Sequence, residues 1–504
     1  MVKRVGGPLL AALRIERDRA QPVSTQLCAA LRELILAGGL KPGDRLPASR
    51  TLGQDLGLSR TTVIEAFDRL TAEGLIESRV GSGTFVSAAL AAERPMPVPQ
   101  PVRLSPPPAP APLSAVMAEA LQRHGARQRL PHLARAFTTA LPAFDAFPVA
   151  QWARLSSRHV RGAREEIMGY GDPCGLPALR RAIAAHLRAH RGIRCDPEQL
   201  FIVGGAQQAF QLVAAALLNP GDKVWFENPG AIGARNSLIA AGADLVPLPV
   251  DEQGLCVEEG LRRAPQWRLA FVTPSHQQPL GRVMSLERRF ALLHAAQQAG
   301  AWVIEDDYDG EFFFGDRPLP TLKSVDTTGL VIHVGTFSKS LFPALRLGYL
   351  LLPQRLVDPF AAIIGNFLQG VPSHTQAVVA SFIEEGLFAS HLRRMRQLYR
   401  ERHDALLDAS RSRLAGLLAV EATPGGLHTV AWLPPRLADT TVARAAAGQG
   451  LTASSIARFA ITPQIDHNGL VLGFGCVAPP AIVAGIETLA QVMEPLAREA
   501  ERVA

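Results

Sequence analysis

At 504 residues, with 47% hydrophobic and 19% charged positions, the chain carries material for a large globular body plus a smaller domain, which excludes overall disorder. The five cysteines (Cys28, Cys174, Cys195, Cys256 and Cys476) are odd in number and lack CxxC spacing, so reduced thiols are expected rather than a disulfide framework or a metal centre. The formal net charge is +7, and positions 1–92 alone hold 12 basic against 9 acidic residues, an excess that leans toward nucleic acid.

The opening "MVKRVGGPLLAALRIERDRA" interrupts its apolar stretch with charge and offers no small-residue cleavage site. No later run reaches membrane-spanning length, and a cytoplasmic location is expected. In "PVSTQLCAALRELILAGGL", Leu27, Leu31, Leu34 and Ile35 fall on one face of a helix ending at Gly38-Gly39. A short second helix repeats Leu52 and Leu56 and stops at Gly57. A third starts at a Ser59 cap and turns Val63, Phe67 and Leu70 inward. That is helix-turn-helix spacing, and "GLIESRVGSGTFVS" then predicts two short strands about a glycine-rich tip, a wing. Such a module enters the major groove by the start of its third helix, where Arg60, Thr61 and Thr62 crowd.

The string "KPGDRLPASRTLGQDLGLSRTTVIEAFDRLTAEGLIESRVGSGTFV" resembles the winged-helix domain of the GntR family of bacterial transcription regulators. The resemblance implies contact with double-stranded operator DNA by Arg50, Ser59, Arg60, Thr61 and Thr62, by Gly81 in the wing, and by Arg45 at a phosphate. This DNA-binding domain is expected over residues 1–92. Residues 93–115, with nine prolines and almost no aliphatic periodicity, predict a semi-rigid tether.

From residue 116 to 504 helical stretches alternate with short apolar runs that each end in a polar cluster: "FIVGGAQQ", "VWFENPG", "LAFVTPSHQ", "WVIEDDYDG" and "VIHVGTFSK". An α/β body is expected, with a mostly parallel sheet whose carboxyl ends converge on one cleft. The groups gathered there suit pyridoxal 5'-phosphate. Lys339 supplies an amine for a Schiff base, Asp306 a carboxylate for the ring nitrogen, and Tyr308 a donor to the ring oxygen. Gly205, Ala206 and Gln207 open a helix whose N-terminus holds phosphate, joined by Thr336, Ser338 and Arg346.

The strings "YGDPCGLPALR", "GGAQQAF", "ENPG", "TPSHQQPLG", "IEDDYDGEF" and "GTFSKSLFPALRLGY" resemble fold-type I aminotransferases. Together with the GntR-like head, the chain resembles the MocR type of GntR regulators. The resemblance implies the same roles for Lys339, Asp306, Tyr308 and Arg346, a phosphate contact by Tyr170 across a subunit interface, and a homodimer. The chain departs from the pattern at Ala231, where many relatives carry a ring-stacking aromatic, at Gly233, where an arginine can stand, and at Gln278 and Leu280. Carboxylate recognition then falls to Arg235 or Arg458, or to neither. The expectation is a regulator that senses an amino acid, an amine or the cofactor itself by Schiff-base exchange at Lys339. The alternative is an active aminotransferase with an accessory winged helix.

Overall fold

The computed structural model describes residues 13, 15–16, 21–79, 81–92, 113–125, 134–162, 164–315, 320–462 and 466–503. The chain divides into two compact units, Met1–Ala111 and Pro112–Ala504. Most of the expected tether, residues 93–112, lies outside the described residues. Its far end differs from expectation: Ser114 caps a helix Ala115–Arg123 by accepting from the Met117 N–H, so Ala115 is already helical.

In the first unit, α1 (Val23–Leu36), α2 (Ser49–Leu56) and α3 (Arg60–Ala72) precede an antiparallel hairpin of β1 (Ile76–Arg79) and β2 (Gly83–Val86). Leu27, Leu31, Ile35, Leu52, Val63, Phe67 and Leu70 are buried in one core, and Leu34 and Leu56 pack at its margin. Gly57 closes α2 in the left-handed region, where the missing Cβ removes the steric cost of a sharp turn into α3.

The second unit is built on an eight-stranded sheet. Its strands are β3 (Leu200–Val203), β4 (Lys223–Asn228), β5 (Asp244–Asp251), β6 (Gly254–Leu255), β7 (Leu269–Val272), β8 (Trp302–Asp307), β9 (Val331–Thr336) and β10 (Gly348–Leu351). The spatial order is β3-β10-β9-β8-β7-β4-β5-β6. The strands β5, β4, β7, β8 and β9 run parallel, whereas β10 is antiparallel to both of its neighbours. Helices cover both faces, which explains the nearly continuous apolar strands: Trp225, Ala270, Val303 and Val331 enter one core, and Phe226, Phe271, Ile304 and Ile332 the other. A second, antiparallel sheet comprises β11 (Ala419–Val420), β12 (His428–Trp432), β13 (Ser454–Ser455) and β14 (Gly469–Gly473). Its core is shared with the long helices Leu387–Arg413 and Pro479–Val503. No helix among the described residues is long and apolar enough to cross a membrane, and all five cysteines are free thiols.

Candidate functional site

At the head, the Ser59 hydroxyl accepts from the Thr62 N–H at 3.1 Å and lies 2.7 Å from both the Thr61 and Thr62 hydroxyls. The cap therefore also arranges the hydroxyls at the start of α3. Arg60, Thr61, Arg50 and Gly81 are exposed, and Thr62 is half-buried. Arg45 bridges to Phe85 of the wing in antiparallel pairing, and its guanidinium crosses Gly83, where a Cβ would sit 3.0 Å from Nε.

In the body, the polar strand ends converge as expected. One cavity of about 270 Å³ is lined by Gly205, Ala206 and Gln207 after β3, Asp306 and Tyr308 at the end of β8, Thr336, Ser338 and Lys339 after β9, and Arg346 before β10. Lys339 lies in a single-turn helix, Phe337–Ser340, which Thr336 caps. Its ammonium donates to the Ala140 carbonyl at 2.6 Å. Gly205, at φ +99° and ψ 169°, adopts a conformation open essentially to glycine alone and starts the helix Ala206–Leu217, whose N-terminal turn faces the cavity.

The arrangement fits pyridoxal phosphate. Asp306 is buried and its Oδ1 has no hydrogen-bond partner, so a pyridinium N–H would meet an acceptor otherwise left unsatisfied. Burial, with Asp307 and Asp309 beside it, pushes the Asp306 carboxyl well above its usual range, and Lys339 opposes them. Such a group favours a positive partner. Arg346 opens to solvent beside the helix N-terminus that phosphate would share.

One expected residue is placed differently. Arg235 does not line the cavity: its guanidinium donates to the Ala460 carbonyl at 2.8 Å and the Arg123 carbonyl at 3.2 Å, so its expected carboxylate role is corrected to a main-chain tie. Arg458, half-buried, does line the cavity. Tyr170 is 94% exposed and is not part of the cavity within one chain. The Gln207 side chain lies over Gly233, donating to its carbonyl at 3.0 Å and to the Ser237 hydroxyl. A Cβ on Gly233 would come within 2.7 Å of the Gln207 Oε1, so the glutamine fills the space an arginine would need.

Sequence reasoning missed His276, Asp309 and His428. All three are buried, with ligand atoms within 4.8 Å of one another, and His428 and Asp309 line the cavity. His276 and Asp309 lie inside the motifs "TPSHQQPLG" and "IEDDYDGEF", but no spacing rule joins their two loops to His428 at the start of β12. Ser454 of β13 and Thr452 just before that strand, also missed, line the cavity as well.

A winged-helix head and an aminotransferase-like body define this as a transcription regulator built on a fold-type I scaffold. A family model for bacterial regulatory proteins of the gntR family matches residues 23–86, and one for aminotransferase class I and II matches residues 138–460. The chain is 43% identical over 479 residues, 95% of each chain, to a probable rhizopine catabolism regulatory protein, MocR, of Rhizobium meliloti. It is 31% identical to the pyridoxine biosynthesis transcriptional regulator PdxR of Corynebacterium glutamicum, over 93% of this chain and 95% of the other. Among solved structures it resembles the α-aminoadipate aminotransferase LysN of Thermus thermophilus, with a TM-score of 0.66 and 27% identity over 77% of this chain and 96% of that one. The chain belongs to the MocR type of the GntR family.

Proposed function

We propose that this regulator binds pyridoxal phosphate in the body cavity and responds to an amine-bearing effector, an amino acid or amine, that competes with Lys339 for it. The observation carrying this reading is that Lys339, Asp306, Tyr308 and Arg346 all line one cavity. When bound, the cofactor supplies an aldehyde that condenses reversibly with primary amines. Asp306 would hold its ring nitrogen, Tyr308 its ring oxygen, and Arg346 with the Gly205–Gln207 turn and Ser338 its phosphate. Lys339, when displaced, has the Ala140 carbonyl 2.6 Å away to receive its amine. Arg458 is the remaining cation on the wall and would take an effector carboxylate.

Displacement alters DNA binding only if the two arrangements of the protein differ in effector affinity. Exposed Met168, Tyr170 and Phe367 support a homodimer in which Tyr170 completes a neighbouring phosphate site, and the surface of Arg45, Arg50, Ser59, Arg60, Thr61, Thr62 and Gly81 would read paired half-sites. The complete cofactor set also favours a second reading, an active aminotransferase. The deciding experiment is a spectral titration of purified protein with amino acids and amines, with and without its upstream DNA. A visible band that shifts with an amine and is lost in Lys339→Ala supports the reading, whereas no band overturns it. Turnover with an oxo acid would favour the enzyme.

A further inference from the structure

Beside the cavity, His276 follows β7, Asp309 follows β8, and neither is needed to hold the cofactor atoms named above. We propose that His276 and Asp309 are positioning residues that fix the Tyr308 hydroxyl as a hydrogen-bond donor into the cavity, and thereby tune the ring oxygen that Tyr308 faces. This rests on the cofactor reading above.

The hydrogen-bond inventory forces the direction. Asp309 Oδ2 lies 2.9 Å from His276 Nδ1, and a carboxylate oxygen only accepts, so Nδ1 carries the proton. The same N–H lies 3.2 Å from the Tyr308 hydroxyl oxygen. With its hydrogen on Asp309, a protonated Nδ1 has no lone pair to accept from Tyr308, so the phenolic hydrogen must point elsewhere, with the cavity as the open direction. Were Nδ1 bare, it would draw the phenolic hydrogen away from the cavity.

The surroundings hold this arrangement. Gly281 and Gly426, at φ +72° and +80°, wrap the imidazole. A Cβ on Gly426 would sit 2.3 Å from His276 Cε1 and 2.8 Å from Asp309 Oδ2, and one on Gly281 would sit 3.2 Å from Nε2. Thr423 Oγ1 lies 3.4 Å from Nε2. The ionisable groups facing Tyr308 are Asp306 and Asp307 from β8, Asp309 beyond it, Glu227 from β4, and His276 and His428, whose rings lie beside each other with centroids 4.6 Å apart. Burial and these carboxylates push the phenol up, so it keeps its proton. His428 lies 3.2 Å from the Pro279 carbonyl through Nε2, and burial holds it neutral. It brings no rival positive charge.

A donor aimed at the ring oxygen stabilises that oxygen's anionic form, so losing the donor raises the pH at which the Lys339-linked chromophore changes protonation. The test is a pH titration of the visible band of full-length holoprotein, comparing wild type with Tyr308→Phe, His276→Gln, near-isosteric Asp309→Asn, and the double variant Tyr308→Phe/His276→Gln. Tyr308→Phe is expected to raise the midpoint by about one pH unit or more, and His276→Gln and Asp309→Asn by roughly half of that. Because the histidine acts through the phenol, the double variant is expected to shift no further than Tyr308→Phe alone. Gly426→Ala, which crowds the imidazole without removing it, is expected to shift the midpoint in the same direction. Midpoints equal to wild type in His276→Gln and Asp309→Asn with the band retained, or fully additive shifts in the double variant, overturn the relay and leave the cofactor reading standing. A wild-type protein with no visible band overturns both.

Discussion

Ala140 and Arg346 line the cavity in left-handed backbone, at φ +71° and +48°, although neither is glycine. Each such residue costs on the order of 1 kcal/mol or more and persists where surroundings over-determine it. At Ala140 the twist accompanies a carbonyl bonded to Lys339. Gly205 is the complementary case, since open space surrounds the position where its Cβ would be. Gly205→Ala is therefore expected to lose about 1–3 kcal/mol from backbone strain alone and to weaken cofactor binding by intruding on the phosphate turn, both readable by thermal unfolding and cofactor titration. His391 makes a pH prediction. Its Nε2 lies 3.0 Å from the carbonyl of Ser340, the last residue of the Lys339 helix. Burial, with Arg394 nearby, pushes its imidazole from 6.5 down to about 4. The unfolded chain takes up this proton below about pH 6.5 while the folded chain resists it to about 4, so stability is full above 6.5 and falls as pH drops through that window, by about 3 kcal/mol. Glu227, raised to about 7 by burial, slopes the opposite way. The measurement is accordingly the difference in denaturant stability between wild type and His391→Asn across that window; parallel curves would refute the assignment.

At the scale of elements, α3 couples a cap to a reading surface. Ser59→Ala removes the hydroxyl that caps α3 and holds Thr61 and Thr62. It is expected to cost the head about 1 kcal/mol and to weaken operator binding beyond what stability explains. Arg60→Ala is expected to weaken binding to the upstream DNA, with a shallower salt dependence if a phosphate contact is lost, and unchanged gel shifts would refute it. The head was legible because its information is local: apolar spacing, a capping serine and a glycine tip each act within a few residues. The five strands with polar ends were legible for the same reason. Strand β5 was not, since Pro247 and Pro249 break its β pattern while its parallel pairing to β4 carries it. Strand β10 hid inside the string that carries Lys339, and its antiparallel direction is set by neighbours rather than by composition. The relay of His276, Asp309 and Tyr308 was illegible because each member is ordinary alone and only the sheet brings their loops together.

For the whole molecule, the separate cores matter more than any one contact. Among the described residues, the buried apolar side chains of the head, from Leu13 to Val86, form a cluster of their own, and the body's clusters draw on residues from Ala120 onward. Two compact units with cores of their own are not required to unfold in one step, and a ligand stabilises the unit whose native state binds it. Calorimetry of the full chain is therefore expected to show two transitions. Pyridoxal phosphate at about 100 times its dissociation constant should stabilise the body by about 2.7 kcal/mol and raise one transition by a few degrees, leaving the other in place. Operator DNA should raise the transition that the cofactor leaves unmoved. Lys339→Ala should weaken the cofactor's effect and spare that of DNA, and Arg60→Ala should do the reverse. If the cofactor raises both transitions equally, or DNA binding responds to an amine in the Lys339→Ala protein, then the effect passes between the units by a route that does not begin at this lysine.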